Sequence, residues 1–321
     1  MAQPVFLVSL PRSGSTLLQK ILCSHSRVGS TAEPWILLPL AAMTDEVQGA
    51  VYAEYSHSES VRAIRDLVAA MRGGESAYHA ALARFAQEVY DDCLQPGQDF
   101  FLDKTPRYFL IVDFIYKLFP DAKVIFLFRN PLESLASMMT TWWSGLLKTY
   151  HLEMDLREGP RLMAEGYARH RERAHAVHYQ DLVESPEATV AGICAYLGVD
   201  FEPAMIERYR SADLKGVMGD KKGVVSYARI STESLDKWMG ILDNPVRRHY
   251  ARRLLASYDV ATLAAFRLDP PAIMSRLEAT PVSYRNVGKD LFWRLVTLVG
   301  GRIALDAIRG HLRRKRPYKV D

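Results

Sequence analysis

Four short apolar runs separated by helical stretches predict an α/β protein: three layers, α/β/α, around a central parallel sheet, with a helical C-terminal extension. Three observations carry this. Val5–Leu10, Phe100–Asp103, Lys123–Phe128 and Ala174–Tyr179 are apolar on successive residues, as strands buried on both faces are. The residues between them repeat apolar side chains at helical spacing. The first three runs end in polar turns, and ligands of open parallel sheets sit at such carboxyl ends.

The elements follow in order. Leu17, Leu18, Ile21 and Leu22 recur at helical spacing behind the first run. Ser76 to Leu94 reads as a long helix with Ala, Leu, Phe85 and Val89 on one side. Pro106 to Leu118 begins with a helix-compatible proline, and Pro131 fits the first turn of the helix after Lys123–Phe128. Pro186 to Leu197 stops at Gly198, a C-cap residue.

The chain has 321 residues, 49% hydrophobic and 24% charged, and no Pro/Gly/Ser-rich linker or internal repeat divides it. The expected organisation is one α/β domain over residues 1–244 and a helical extension over 245–321, packed on that domain and ending in a basic tail. Cys23, Cys93 and Cys194 are scattered and odd in number, which fits a reducing compartment better than a disulfide framework or a zinc site. The start of the chain shows no signal-peptide pattern, and no apolar run reaches the eighteen or so residues that span a bilayer. The expectation is a soluble, cytoplasmic protein. Its net charge of +4 is uneven: residues 302–321 hold seven Lys/Arg and two Asp, leaving 1–301 near −1. No basic stripe with interleaved aromatics suggests nucleic acid.

Val5 to Leu18 reads VFLVSLPRSGSTLL, a strand, a tight turn and the first turn of a helix. Backbone N–H groups of such a turn and the positive end of the helix dipole converge on one spot suited to phosphate or sulfate. The loop is P-loop-like but is not an ATP loop. The pattern G-x-x-x-x-G-K-S/T would need Gly at 9, Gly at 14, Lys at 15 and Ser/Thr at 16. The residues are Ser9, Gly14, Ser15 and Thr16, with Arg12 earlier in the loop. Lys123 to Ser137 adds a second anion motif, in which Arg129 leaves a strand end as a planar cation and Ser137 follows on the next helix.

These two motifs resemble those of the sulfotransferases that use 3′-phosphoadenosine 5′-phosphosulfate (PAPS), bacterial-type, with features similar to the tyrosylprotein enzymes. In that family a loop of Pro, Lys/Arg, Ser/Thr, Gly, Ser/Thr, Ser/Thr binds the 5′-phosphosulfate, and Pro11 to Thr16 match it. A strand-end Arg and a Ser eight residues on bind the 3′-phosphate, as Arg129 and Ser137 match. The resemblance covers residues 4–240 and implies PAPS as co-substrate, with Arg12, Ser13, Gly14, Ser15, Thr16, Arg129, Ser137, Tyr179 and Arg229 as its binding residues. Tyr179-Gln180-Asp181-Leu182 is similar to the family's Y-E-D-L element, whose Tyr lies near the nucleotide. A basic loop closes over the 3′-phosphate ahead of a Trp-bearing helix; Arg229, before Trp238, is favoured here over Lys221 and Lys222.

The resemblance also implies the catalytic residues. Ala32-Glu33-Pro34 is similar to the family's acidic general-base site, with Pro34 orienting the carboxylate as a helix begins at Trp35. A dipole-stabilising acid near a helix start is the other reading of Glu33, and a histidine base, His25 or His57, is the runner-up. Asp103-Lys104-Thr105-Pro106 resembles the segment whose Lys meets the leaving group; Lys104 is the favoured cation and Arg12 the second, while a solvated strand-end Lys is the plain alternative. Sulfuryl transfer, by analogy with phosphoryl transfer, leaves the protein mostly electrostatic and positioning work. No metal is expected, since no His/Asp/Glu cluster has ligand spacing.

The leading expectation is therefore in-line sulfuryl transfer from PAPS to a hydroxyl acceptor of unread class: carbohydrate, lipid, phenol or small metabolite. A nucleotide-dependent kinase on a related fold and a catalytically dead nucleotide-binding homologue are the alternatives. Trp35, Tyr52, Tyr55, Tyr78, Trp142, Trp143 and Tyr150 are candidates for the acceptor pocket or for ordinary core packing. In the tail, Leu291, Phe292, Leu295, Val296, Leu298 and Val299 precede Gly300-Gly301, and apolar residues continue at helical spacing to Arg313-Arg314-Lys315-Arg316. This reads either as a packed helix with a solvated basic end or as peripheral contact with the inner face of a membrane.

Overall fold

A computed structural model describes residues 1–43, 55–148, 154–212, 214–215 and 230–296, with the side chains of 43 and 55–60 outside the description. Arg229, Lys221, Lys222, Tyr52 and Tyr150, the side chains of Tyr55 and His57, and the tail from residue 297 lie outside the described residues.

Five parallel strands form the sheet: β1 (Gln3–Ser9), β2 (Val28–Gly29), β3 (Phe100–Asp103), β4 (Lys123–Phe128) and β5 (Ala174–His178), in the order β2-β3-β1-β4-β5. Alternate residues of each strand face opposite layers. Phe6, Val8, Phe101, Val124, Phe126 and Phe128 join one core, with α2 (Leu37–Met43), α4 (Gly74–Cys93), α5 (Val112–Leu118) and α7 (Gly159–Arg169) on that side. Val5, Leu7, Leu102, Ile125, Leu127 and Val177 join the other, with α1 (Ser15–Leu22), α8 (Tyr179–Glu184) and α9 (Pro186–Leu197). Both faces are covered, so the strands read as continuous apolar runs. This is the P-loop-like α/β/α fold.

Helix α9 ends where expected, with Gly198 at φ 79. Three readings need correction. Pro106–Leu118 is not one helix: a single 3-10 turn at Tyr108–Leu110 precedes α5, because Arg107 sits at a left-handed φ of 72. No helix begins at Trp35, which is itself left-handed at φ 55; α2 begins at Leu37. On α4 the Phe85/Val89 side faces outward, with Phe85 51% exposed, and the buried residues are His79, Ala86 and Tyr90. Tyr90 is buried because its hydroxyl has an acceptor on β3.

Helix α6 (Pro131–Trp142) and the helices at Pro245–Leu255 and Pro270–Ala279 share a third core built from Leu132, Leu135, Met139, Tyr250, Leu254 and Leu277. Trp143 packs against it, while Trp142 is exposed. Among the described residues no helix is long and apolar enough to cross a membrane.

Candidate active site

Parallel strands deliver their carboxyl ends to one edge of the sheet. Lys104 follows β3, Arg12–Gly14 follow β1, Arg129 follows β4 and Tyr179 follows β5, in adjacent positions. Neighbouring strands lie about 4.8 Å apart, so these side chains share one short edge.

The loop after β1 is an open anion cradle. Gly14 caps α1 at φ 88 with no side chain bonded to the helix end, and no acidic residue stands in the first turn. The first N–H groups are thus left for an external acceptor. The cradle is tight. A Cβ at Gly14 would lie 2.4 Å from Cε2 of Tyr179. Left-handed backbone costs a non-glycine residue about 1–2 kcal/mol before that clash is counted. Gly14→Ala is therefore expected to displace Tyr179 and lower the thermal midpoint by several degrees; an unchanged midpoint would place the ring elsewhere.

Tyr179 also organises the cations. The Arg129 guanidinium stacks 3.9 Å from its ring centroid, and the Tyr179 hydroxyl and Ser234 Oγ are 3.0 Å apart. Arg129 Nη1 donates to the Arg12 carbonyl (3.2 Å) and Nε to Glu133 Oε2 (2.8 Å). Burial pushes the Glu133 carboxyl up and the Arg129 charge pulls it back. Arg12 is left-handed at φ 63, and its Nε donates to Ser137 Oγ at 3.2 Å. Ser13 is fully buried, with its Oγ 3.4 Å from that of Ser134. Arg12, Ser13, Gly14, Arg129, Ser137 and Tyr179 therefore form one connected group; Ser15 and Thr16 open α1 beside it.

A second group lies next to it. Lys104 Nζ donates to Glu33 Oε1 at 2.6 Å, with both side chains largely buried. Trp35 Nε1 donates to Glu33 Oε2 (3.2 Å). The segment before Glu33 is pinned to α1, since Gln19 Nε2 donates to Ser30 Oγ and to the carbonyls of Thr31 and Ala32 at 2.8–3.0 Å. Beneath it, Asp103 is wholly buried. Its Oδ2 accepts from Tyr90 (2.7 Å) and Tyr108 (2.8 Å), and its Oδ1 accepts from Thr105 Oγ1 (3.0 Å). Thr105 Oγ1 in turn accepts the backbone N–H of Trp35 at 3.1 Å. Burial raises the Asp103 carboxyl to about 6 despite those donors, and keeps both tyrosines protonated. The turn after Lys104 is closed by Arg107, which donates to Asp155 at 2.9 and 3.0 Å.

His25 is not placed to act as a base. It precedes β2 and so lies at the amino end of the sheet, opposite this edge. Its Nδ1 accepts from Arg27 N–H (3.0 Å), which leaves Nε2 to donate to the Asp200 carbonyl (3.0 Å). Asp181, two residues after Tyr179, pairs with Arg267 at 2.8 Å. Sequence reasoning missed Glu133, although its spacing of four from Arg129 is that of a helical ion pair. It also missed Asp103 with Tyr90 and Tyr108, for which no local spacing exists. Among the described residues no group of three or more His/Cys/Asp/Glu could hold a metal ion.

A sequence model of the sulfotransferase family matches residues 4–203, which hold both groups. The chain belongs to the sulfotransferase family. Its relatives include nodulation protein NoeE of Sinorhizobium fredii, 29% identical over 217 residues, covering 61% of this chain and 50% of that protein. Protein-tyrosine sulfotransferase 2 of Gallus gallus is 23% identical over 275 residues, covering 77% and 66% respectively. The chain thus spans about half the length of the nodulation protein. Among solved structures, the sulfotransferase domain from the curacin biosynthetic pathway aligns with TM-score 0.51 at 21% identity, over 75% of this chain and 92% of that one. The sulfotransferase domain of the Synechococcus PCC 7002 olefin synthase aligns with TM-score 0.50 at 25% identity, over 74% and 87%. These likenesses place the α/β/α architecture of this chain in the sulfotransferase fold.

Proposed function

We propose that this protein transfers a sulfuryl group from PAPS to a hydroxyl acceptor, with Glu33 as general base. The observation that carries the reading is the pairing of Glu33 with Lys104 next to an open anion cradle: a base and a cation beside a place for a phosphosulfate. The cradle has the features a nucleotide phosphate needs, namely the uncapped start of α1, a glycine where no Cβ fits, and Arg129 held flat by Tyr179 and Glu133.

In this reading residues 13–16 take the 5′-phosphosulfate, and Arg129 with Ser137 takes the 3′-phosphate. The acceptor oxygen attacks sulfur in line, the bond from sulfur to the bridging phosphate oxygen breaks, and Glu33 receives the acceptor proton. Negative charge then grows on the departing phosphate, where the α1 N–H groups, Lys104 and Arg12 meet it. Trp35 and Gln19 hold the base in place. The acceptor class is a carbohydrate, lipid, phenol or small metabolite, and the protein acts in the cytoplasm.

Calorimetry tests the nucleotide assignment. Adenosine 3′,5′-bisphosphate should bind far more tightly than adenosine 5′-phosphate. Loss of a charge-assisted contact costs about 1.5–3 kcal/mol, so Arg129→Ala should weaken bisphosphate binding by roughly one to two orders of magnitude. Equal affinity for both nucleotides would remove the 3′-phosphate site, and tight ATP binding would favour a kinase.

A further inference from the structure

We propose that the outward face of the helical residues 287–296 docks on an anionic lipid surface. The face is fixed in place by a buried polar cluster. Asp290 is fully buried, and its carboxylate accepts from Arg247 Nε (2.6 Å), Asn244 Nδ2 (2.8 Å) and the Leu147 amide (2.8 Å). Arg247 further donates to the carbonyls of Ile241 and Gly145, both at 2.6 Å. Lys148 lies 4.3 Å from the Trp293 ring centroid and Arg294 4.8 Å from that of Tyr250. Turning the helix would strip a buried carboxylate of all three donors.

Held this way, the helix shows solvent its apolar side. Leu291, Phe292 and Leu295 are 51%, 58% and 53% exposed, and Tyr284 in the turn before is 77% exposed. At 100° per residue Gly288, Leu291, Phe292 and Leu295 fall on one side, with exposed Lys289 at its edge. A helix on a soluble domain has the opposite arrangement.

Charge selects the occupant. Arg285 and Lys289 are exposed beside the patch, and the sequence of residues 302–321 holds seven Lys/Arg against two Asp. An apolar face bordered by cations matches a lipid surface that is apolar within and negative at its headgroups. A second copy of this chain would bring like charge onto the same patch.

Vesicle flotation of the full chain tests this, with phosphatidylcholine vesicles that contain or lack phosphatidylglycerol. The protein should float with the phosphatidylglycerol vesicles only and sink as salt is raised. Phe292→Glu with Leu295→Glu should reduce partitioning by at least about tenfold, and so should neutralising Arg313, Arg314, Lys315 and Arg316. Unchanged affinity for adenosine 3′,5′-bisphosphate would show that the variants fold. Failure to float at low salt overturns the proposal, as does equal flotation of Phe292→Glu/Leu295→Glu. A vesicle-free dimer that this pair of substitutions dissolves would assign the patch to a second copy instead.

Discussion

Replacing Glu33 with glutamine should lower turnover by about 10²–10⁴-fold, the usual contribution of a general base. Glutamine keeps the shape of the side chain and an oxygen that can accept from Lys104 or Trp35, but it cannot take the acceptor proton. A second effect has to be separated from this one. Lys104 is buried against Glu33, and breaking a buried ion pair by removing one charge costs roughly 3–5 kcal/mol of stability. Nucleotide affinity distinguishes them. If Glu33 is the base, the variant binds adenosine 3′,5′-bisphosphate within a few-fold of the parent while turnover collapses. If the pair is only structural, binding and turnover fall together with the thermal midpoint.

The second large effect is at Asp103. Asp103→Ala removes the acceptor of Tyr90, Tyr108 and Thr105 inside the core. Three buried groups left unsatisfied at about 1–3 kcal/mol each put the loss at no less than about 3 kcal/mol, a fall in thermal midpoint of at least about 4–5 °C for a chain of this length. Activity should fall as well, because the chain Asp103–Thr105–Trp35–Glu33 sets where the base stands. The pH dependence has a definite sign. The carboxyl is raised from 3.8 to about 6 in the fold, so between those values the folded state holds a proton that the unfolded state has lost. The stabilising contribution is full below 3.8 and is lost as pH rises to about 6, amounting to about 3 kcal/mol. Asp103→Asn should therefore compare worst with the parent at low pH and gain on it as pH rises through this range. A difference in midpoint that is flat from pH 4 to 7 would contradict this.

The sheet was readable because its strands are buried on both faces and so appear as unbroken apolar runs; Lys123–Phe128 and Phe100–Asp103 carry the predicted bounds. Strand β2 was not, since two residues, Val28 and Gly29, have no pattern. The anion loops were visible because their chemistry is local: a glycine that caps a helix, and an arginine that ends a strand. What could not be read was long-range compensation. Nothing local in the sequence marks the partner of Asp103: it is Tyr90, thirteen residues earlier, whose hydroxyl donates to it. The same fact bears on α4, where Ala, Leu, Phe85 and Val89 gather on one side in sequence while the buried side carries Tyr90. Likewise Pro34 suggested a helix start at Trp35, whereas Trp35 takes a left-handed turn to reach both Thr105 and Glu33.

Transfer from sulfur-labelled PAPS tests the central claim most directly, measured as labelled product and released adenosine 3′,5′-bisphosphate. A panel of carbohydrate, lipid and phenol acceptors, with water as the blank, is compared for the parent and Glu33→Gln. The predicted result is labelled product from at least one acceptor class, bisphosphate released in equal amount, and both lowered by about 10²–10⁴-fold in the variant. The parent and Glu33→Gln releasing bisphosphate at the same residual rate, with no acceptor labelled, would contradict it.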